Sequence, residues 1–260
     1  MIASRSILLT FVLSAMIGTT NANADVFFSE NFDYADGDLT QVSGGLWTAH
    51  SGNIPDIQVF DGQAFVANPG SQDDNRLTGT VIGPNETWYY GVEFSIQGGG
   101  QGGINEDYFI SFKDDTIFGL NARLFTTSPS AGGDFSLAIA ASSPGDGMTD
   151  WNGDFFFGES IQAIVGFNNG NGEATLWINP VDMLSPSIDD DELPDAMRAI
   201  HSIALRQDSG SGLNTGAAID RIVVGSDFDS VLAAIQIPEP ASGMFIGVGI
   251  LIVSICRRIR

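Results

Sequence analysis

The most regular feature of the chain is alternation of apolar and polar positions. In TWYYGVEFSIQ, residues 87–97, the side chains of Trp88, Tyr90, Val92, Phe94 and Ile96 fall on one face at a period of two. That is the pattern of a strand with one face in a core. DYFISFKD (107–114), FSLAIAA (135–141), IQAIVGFN (161–168), EATLWIN (173–179), IHSIALRQ (200–207) and AAIDRIVVG (217–225) are further short runs rich in β-branched and aromatic residues. Between the fourth and fifth runs stands Asn169-Gly170-Asn171-Gly172, residue types that tolerate positive φ and predict a hairpin. Only Asp190 to Ala199 suggests a helical turn. Short strands joined by Gly, Asn and Asp loops, without βα alternation, predict an all-β, antiparallel two-sheet sandwich. Phenylalanine, with 18 residues, suits its core. No internal repeat is present, so one domain over 25–229 is expected, followed by a linker over 230–237.

The two ends break this pattern. Arg5, the apolar run Ile7 to Gly18 and the small-x-small triplet Ala22-Asn23-Ala24 form a secretory signal over residues 1–24, with cleavage before Asp25. At the other end Pro238-Glu239-Pro240 precedes an apolar stretch, Ala241 to Cys256, and then Arg257, Arg258 and Arg260. As a helix those 16 residues span about 24 Å against a hydrocarbon core of about 30 Å. A short C-terminal transmembrane helix is thus permitted, its arginines on the cytoplasmic side and the body outside.

Charge narrows the partners. Of 32 acidic and 10 basic residues, Glu239 and four arginines (Arg5, Arg257, Arg258, Arg260) are terminal, leaving the body 31 acids against 6 bases. A net excess of 25 negative charges disfavours nucleic acid and anionic membrane surfaces, which need cations to displace counterions. Cations and neutral polymers such as glycans stay compatible. The only cysteine, Cys256, lies in the apolar tail, so the body has no disulfide and no thiolate zinc site.

Three segments carry a family resemblance: FFSENFDYADGDL (27–39), ATLWINP (174–180) and AAIDRIVVGSDFDSV (217–231). In this order and spacing they resemble exported bacterial proteins with a laminin-G-like, concanavalin-type jelly roll. The resemblance implies that the first and last strands lie side by side, bringing FFSENF to IDRIVVG.

Candidate chemistry is sparse. Concanavalin-type glucanases carry Glu-x-Asp-x-x-Glu on one strand face, and no stretch matches; Glu106 and Asp107 are adjacent and point to opposite faces. Neither His50 nor His201 has a nucleophile motif beside it. GGGQGG (98–103) leads into a strand, not a helix, so it is no dinucleotide fingerprint. Asp33, Asp36 and Asp38 surround a Gly turn and are candidate calcium ligands, with a plain surface Asp-Gly turn as the alternative. Glu30 and Asp220 join such a calcium site if the terminal strands pair as the resemblance implies. Asp189 to Glu192 is expected as a solvated acidic loop. Trp47 and Trp151 sit in polar segments and are candidate glycan contacts, Trp88 belongs to the core face, and Trp177 is open to either role.

The tail resembles the PEP-CTERM sorting signal: Pro238, Glu239 and Pro240, then the apolar helix, then Arg257, Arg258 and Arg260. That resemblance implies removal of the tail by the membrane protease-transpeptidase exosortase. It also implies a destination in the cell envelope, outer surface or extracellular matrix of a Gram-negative bacterium. The combined expectation is a non-enzymatic exported protein that binds glycan or builds matrix. The alternative is a carbohydrate-active enzyme of the same fold. Mass spectrometry of the mature protein should find a chain beginning at Asp25 and ending near Pro240; a chain running to Arg260 refutes tail removal.

Overall fold

In the computed structural model the described residues are 26–52, 55–67, 72–98, 106–116, 119–142, 147–191, 199–207 and 216–236. The signal segment 1–24, the tail 238–260 and most of 190–199 therefore lie outside the described residues. Among the described residues sixteen strands and two helices follow one another. The first half comprises β1 (Val26–Glu30), β2 (Gly37–Asp38), α1 (Leu39–Val42), β3 (Trp47–Ser51), β4 (Gln58–Phe60), β5 (Gln63–Val66), β6 (Asp73–Ile82), β7 (Thr87–Ile96) and β8 (Asp107–Asp114). The second comprises β9 (Leu120–Thr127), β10 (Ser136–Ala140), β11 (Thr149–Asp150), β12 (Ile161–Asn168), β13 (Glu173–Ile178), β14 (Ser187–Asp190), β15 (Ile200–Leu205), β16 (Ala217–Gly225) and α2 (Phe228–Ile235).

The strands form two antiparallel sheets. One has nine strands, ordered β14-β13-β12-β7-β16-β5-β4-β2, with β1 also paired to β16. The other has seven, ordered β11-β10-β9-β8-β15-β6-β3. Their inner faces share one core. Trp88, Tyr90, Val92, Phe94 and Ile96 of β7 meet Phe109, Phe112, Leu124, Leu137 and Ile203 of the facing sheet. The alternation read from the sequence is thus the inward face of β7. Val26 to Glu30 lies against Ile222 to Gly225, so the first and last strands do pair.

The hairpin between β12 and β13 forms with residues 169–172 as its loop. At the far end of β13, in the Trp-Ile-Asn-Pro segment, Asn179 adopts φ +49. Asparagine tolerates that left-handed conformation because its short side chain bonds locally. Its Oδ1 accepts from the Gln162 N–H at 2.9 Å, and its own N–H donates to the Gln162 carbonyl at 2.7 Å.

Two segments depart from expectation. Residues 230–235, expected as linker, belong to α2, which is N-capped by Asp227, whose side chain accepts from the Ser230 N–H. Phe228, Val231, Leu232 and Ile235 recur at helical spacing and pack on the outer face of the nine-stranded sheet against Tyr89, Ile164, Trp177 and Val223. Trp177 is therefore an outer-face residue covered by a helix. In the acidic run, Asp189 and Asp190 are not loop or helical turn but strand β14, and Asp190 is buried, accepting from the Ala141 N–H at 2.6 Å. A buried backbone donor needs an acceptor, and this carboxylate supplies it.

Gly91 decides how closely α2 approaches. A Cβ at this position would stand 3.0 Å from Val231 Cγ1 and 3.4 Å from Ile235 Cδ1. Gly91→Ala should destabilise the protein by about 1–3 kcal/mol in urea unfolding through overpacking. Amide exchange in α2 should accelerate with it, and unchanged exchange there means the helix is not seated on Gly91.

Candidate functional site

The outer face of the nine-stranded sheet is occupied by α2; the outer face of the seven-stranded sheet carries a cluster of aromatic rings and guanidinium groups. Phe109, Phe112 and Leu124 point into the core, which leaves their neighbours Tyr108 and Phe125 on the opposite face. Tyr108 and Phe125 are cross-strand partners with ring centroids 5.4 Å apart. The Arg206 guanidinium lies 4.4 Å from the Tyr108 centroid, and that of Arg123 lies 5.3 Å from Tyr108 and 5.2 Å from Phe125. Arg206 also pairs with Asp107. Phe125 and Arg206 are half-buried, while Arg123 forms a fully buried floor. Cation–aromatic stacking fixes the planes of both rings. Tyr108 is buried as well, so the cluster presents to solvent the half-buried Phe125 ring edged by the Arg206 guanidinium, the pairing of apolar face and hydrogen-bond donors that sugars require.

Protonation on this face is held away from acid–base duty. Burial pushes the Tyr108 hydroxyl up to about 12, against the opposing charge of Arg206. Burial, with the Lys113 charge, pushes His50 down to about 4. Lys113 is itself lowered by burial, and its Nζ donates to the Asp114 and Thr116 carbonyls. His201 is half-buried in β15. A general base poised near neutral pH is not supplied by Tyr108 or His50.

The residues singled out in the sequence are scattered. Trp47 is a correction: it is fully buried, and its indole N–H donates to Glu30 Oε2 at 2.9 Å, so it offers no face to a glycan. Trp151 is half-buried at the margin of the core, in a loop whose Asp154 carboxylate accepts from the Ser130 and Gly133 N–H groups. Glu30 is a second correction. Its carboxylate is buried and accepts from the Phe32 N–H, the Tyr34 hydroxyl, the Trp47 indole and Arg76, leaving it committed and not free for calcium. Asp36 accepts from the Asp61 N–H, and Asp38 accepts from Gln41 and Gln58. Asp33 and Asp220 line a polar depression of about 590 Å³ with Asn31, Tyr34, Asp61 and Gly62. Among the described residues no three acidic, histidine or cysteine side chains converge closely enough to hold a metal. The sorting motif, Pro238, Glu239, Pro240, Arg257, Arg258 and Arg260, lies outside the described residues.

No family model and no curated protein sequence matches the chain. Solved structures do match. A double mutant of the alginate lyase Aly36B, in complex with alginate trisaccharide, has 14% identity and a TM-score of 0.53, over 78% of this chain and 98% of that one. A pseudo β-1,3-glucanase of Mycobacterium tuberculosis has 11% identity and a TM-score of 0.50, over 78% and 99%. A Lotus tetragonolobus seed lectin follows at 11% identity and 0.46, over 77% and 97%. The fold is a concanavalin-type jelly roll. At these identities the likeness concerns the fold alone.

One cluster was not legible from the sequence. Asp56, ahead of β4, and Asp74, on β6, are both buried and their carboxyl groups are neighbours. Thr40 donates to Asp56 Oδ2 and Gln72 to Asp74 Oδ1, leaving Asp56 Oδ1 and Asp74 Oδ2 without a donor. Burial, the hydrogen bond to Asp56 and the Asp56 charge together push Asp74 up to about 8, with Asp73 adding to the rise and Gln72 opposing it. Its proton supplies the missing donor. Because the folded value exceeds the unfolded 3.8, the folded state holds the extra proton between about pH 4 and 8. Stability should be greatest below pH 4 as far as this group is concerned, and should fall as pH rises to 8, by up to about 1.4 kcal/mol per pH unit. Asp74→Asn should flatten that slope in denaturation measured from pH 5 to 9; a slope equal to wild type excludes the shared proton.

Proposed function

We propose that this protein is an exported, non-enzymatic jelly-roll protein that binds carbohydrate on the outer face of its seven-stranded sheet. One observation carries the reading: Tyr108, Phe125, Arg123 and Arg206 form an aromatic and guanidinium cluster on the sheet face that no described helix occupies, with Phe125 and Arg206 half-buried at its surface. Concanavalin-type structures that act on or hold polysaccharide, the alginate lyase among them, support a carbohydrate ligand. The high Tyr108 and low His50 values favour binding over turnover. Calcium, if it takes part, would draw on the Asp33 and Asp220 depression, since Glu30 is committed elsewhere.

Delivery follows from the ends of the chain. The signal over 1–24 directs export through signal peptidase. The tail over 238–260 then holds the body at the inner membrane until exosortase removes it, releasing the domain to the envelope, outer surface or matrix. A disulfide-free body stapled only by packing and buried polar groups is compatible with that route.

Affinity electrophoresis through alginate and through a neutral β-glucan tests the ligand. Retardation should be seen with at least one polymer. Phe125→Ala and Arg206→Ala should each weaken it about tenfold, equivalent to about 1.4 kcal/mol. Phe125→Ala leaves the Arg206–Asp107 pair intact and so separates lost ligand contact from an orphaned carboxylate. Absence of retardation for the wild type overturns the binding reading, and release of unsaturated or reducing ends restores the enzyme.

A further inference from the structure

We propose that the turn Val181–Ser185 is a lipid-contacting surface that seats the body on the membrane while the C-terminal tail is still attached. The proposal rests on the reading of that tail as a membrane-spanning segment.

The turn follows β13 and exposes three apolar side chains within four residues: Val181 at 81%, Met183 at 49% and Leu184 at 93%. Of the other large exposed apolar residues among those described, Leu77 and Val81 share β6, while Leu46, Phe60 and Phe156 stand apart from them and from one another in sequence, so no other short segment exposes three. Nor is the turn a loose segment. Ser185 Oγ accepts from the Val181 and Asp182 N–H groups at 3.0 and 3.3 Å, and Asp182 Oδ1 accepts from the Leu184 N–H at 3.0 Å. These bonds close the backbone on itself and consume the one carboxylate in the turn. The apolar side chains are thereby presented outward beside an exposed Asp182 whose carboxylate is turned back onto the Leu184 N–H, and their exposure in water is unfavourable.

The position of the chain's exit identifies the occupant. Gln236, the residue that ends α2, donates from Nε2 to the carbonyl of Pro180 at 3.3 Å, directly beside the turn. Arg221 reinforces the junction by donating to the carbonyl of Ile235. From Gln236 only five residues lead to Ala241, where the apolar stretch begins, a reach of at most about 17 Å even when fully extended. Once the tail enters a bilayer, the exit point is tethered within that distance of the hydrocarbon, and the exposed turn beside it is brought to the interface. The acidic surface of the body favours zwitterionic over anionic lipid, which leaves apolar insertion as the attractive contact.

The experiment uses the chain from Asp25 to Arg260 with Cys256→Ser, carrying one nitroxide at Leu184→Cys or, as a control, at Leu77→Cys. Leu184 and Leu77 are both exposed, so neither label disturbs the core. The protein is reconstituted into phosphatidylcholine vesicles, and collision of each label with oxygen and with a water-soluble nickel chelate is measured. The Leu184 label should become several-fold more accessible to oxygen relative to nickel than the Leu77 label. Flotation with the vesicles but equal accessibility at the two positions overturns the proposal and spares the reading of the tail. Failure to float overturns both. Spin–spin broadening at Leu184 under high lipid dilution assigns the turn to a second copy of this chain, which also overturns it.

Discussion

The carboxylate of Glu30 is the constraint around which the front half of the molecule is arranged. It is buried at the end of β1, where an unpaired charge would cost several kcal/mol. It is satisfied by donors from both sheets: the Trp47 indole on β3, Arg76 on β6, and the Tyr34 hydroxyl and Phe32 N–H on its own segment. Holding Phe32 in place requires φ +55 there, an unusual backbone for a bulky residue, and the fully buried ring stacks on Trp47. One buried charge thus joins the first strand of one sheet to the edge of the other. It also withdraws Trp47 from the surface and Glu30 from any metal.

The same economy governs the cations. The body has six basic residues, Arg76, Lys113, Arg123, Arg198, Arg206 and Arg221. The five that are described are all turned inward or engaged: Arg76 with Glu30, Lys113 with two backbone carbonyls, Arg123 beneath two rings, Arg206 with Asp107, and Arg221 with the end of α2. Carboxylates consequently dominate the exterior, and the surface is even more anionic than the composition states. Helix α2 then divides the two outer sheet faces into unequal roles. It covers Tyr89, Trp177 and Val223 on one, and by ending at Pro180 it fixes where the chain departs. The opposite outer face keeps its aromatic and guanidinium patch.

Much of this architecture was readable beforehand. Alternation in β7 and the Asn-Gly loop before β13 specify strand and hairpin through local backbone preference, and both formed. The pairing of β1 with β16 came from resemblance, since residues so far apart in sequence leave no local trace of their contact. Helix α2 was missed although Asp227 and the spacing of Phe228, Val231, Leu232 and Ile235 carry a capping and periodicity signal. The apolar run of β16 continues almost directly into it, and the shift from period two to period 3.6 spans only a few residues.

The sequence by itself determined the strand content, the anionic character, the absence of thiol chemistry from the body and the processing expected at both ends. All of these depend on residue type and near neighbours. Only the tertiary structure decided which polar groups were available for function. A tryptophan in a polar stretch reads as exposed until Glu30 is found beside it, and nothing near Asp56 or Asp74 in sequence marks them as a buried pair. Tyr108 and Phe125 belong to two strands and Arg206 directly follows a third, and they become one cluster only when β15, β8 and β9 lie side by side. Burial and long-range juxtaposition are properties of the packed sheets, and no local pattern encodes them.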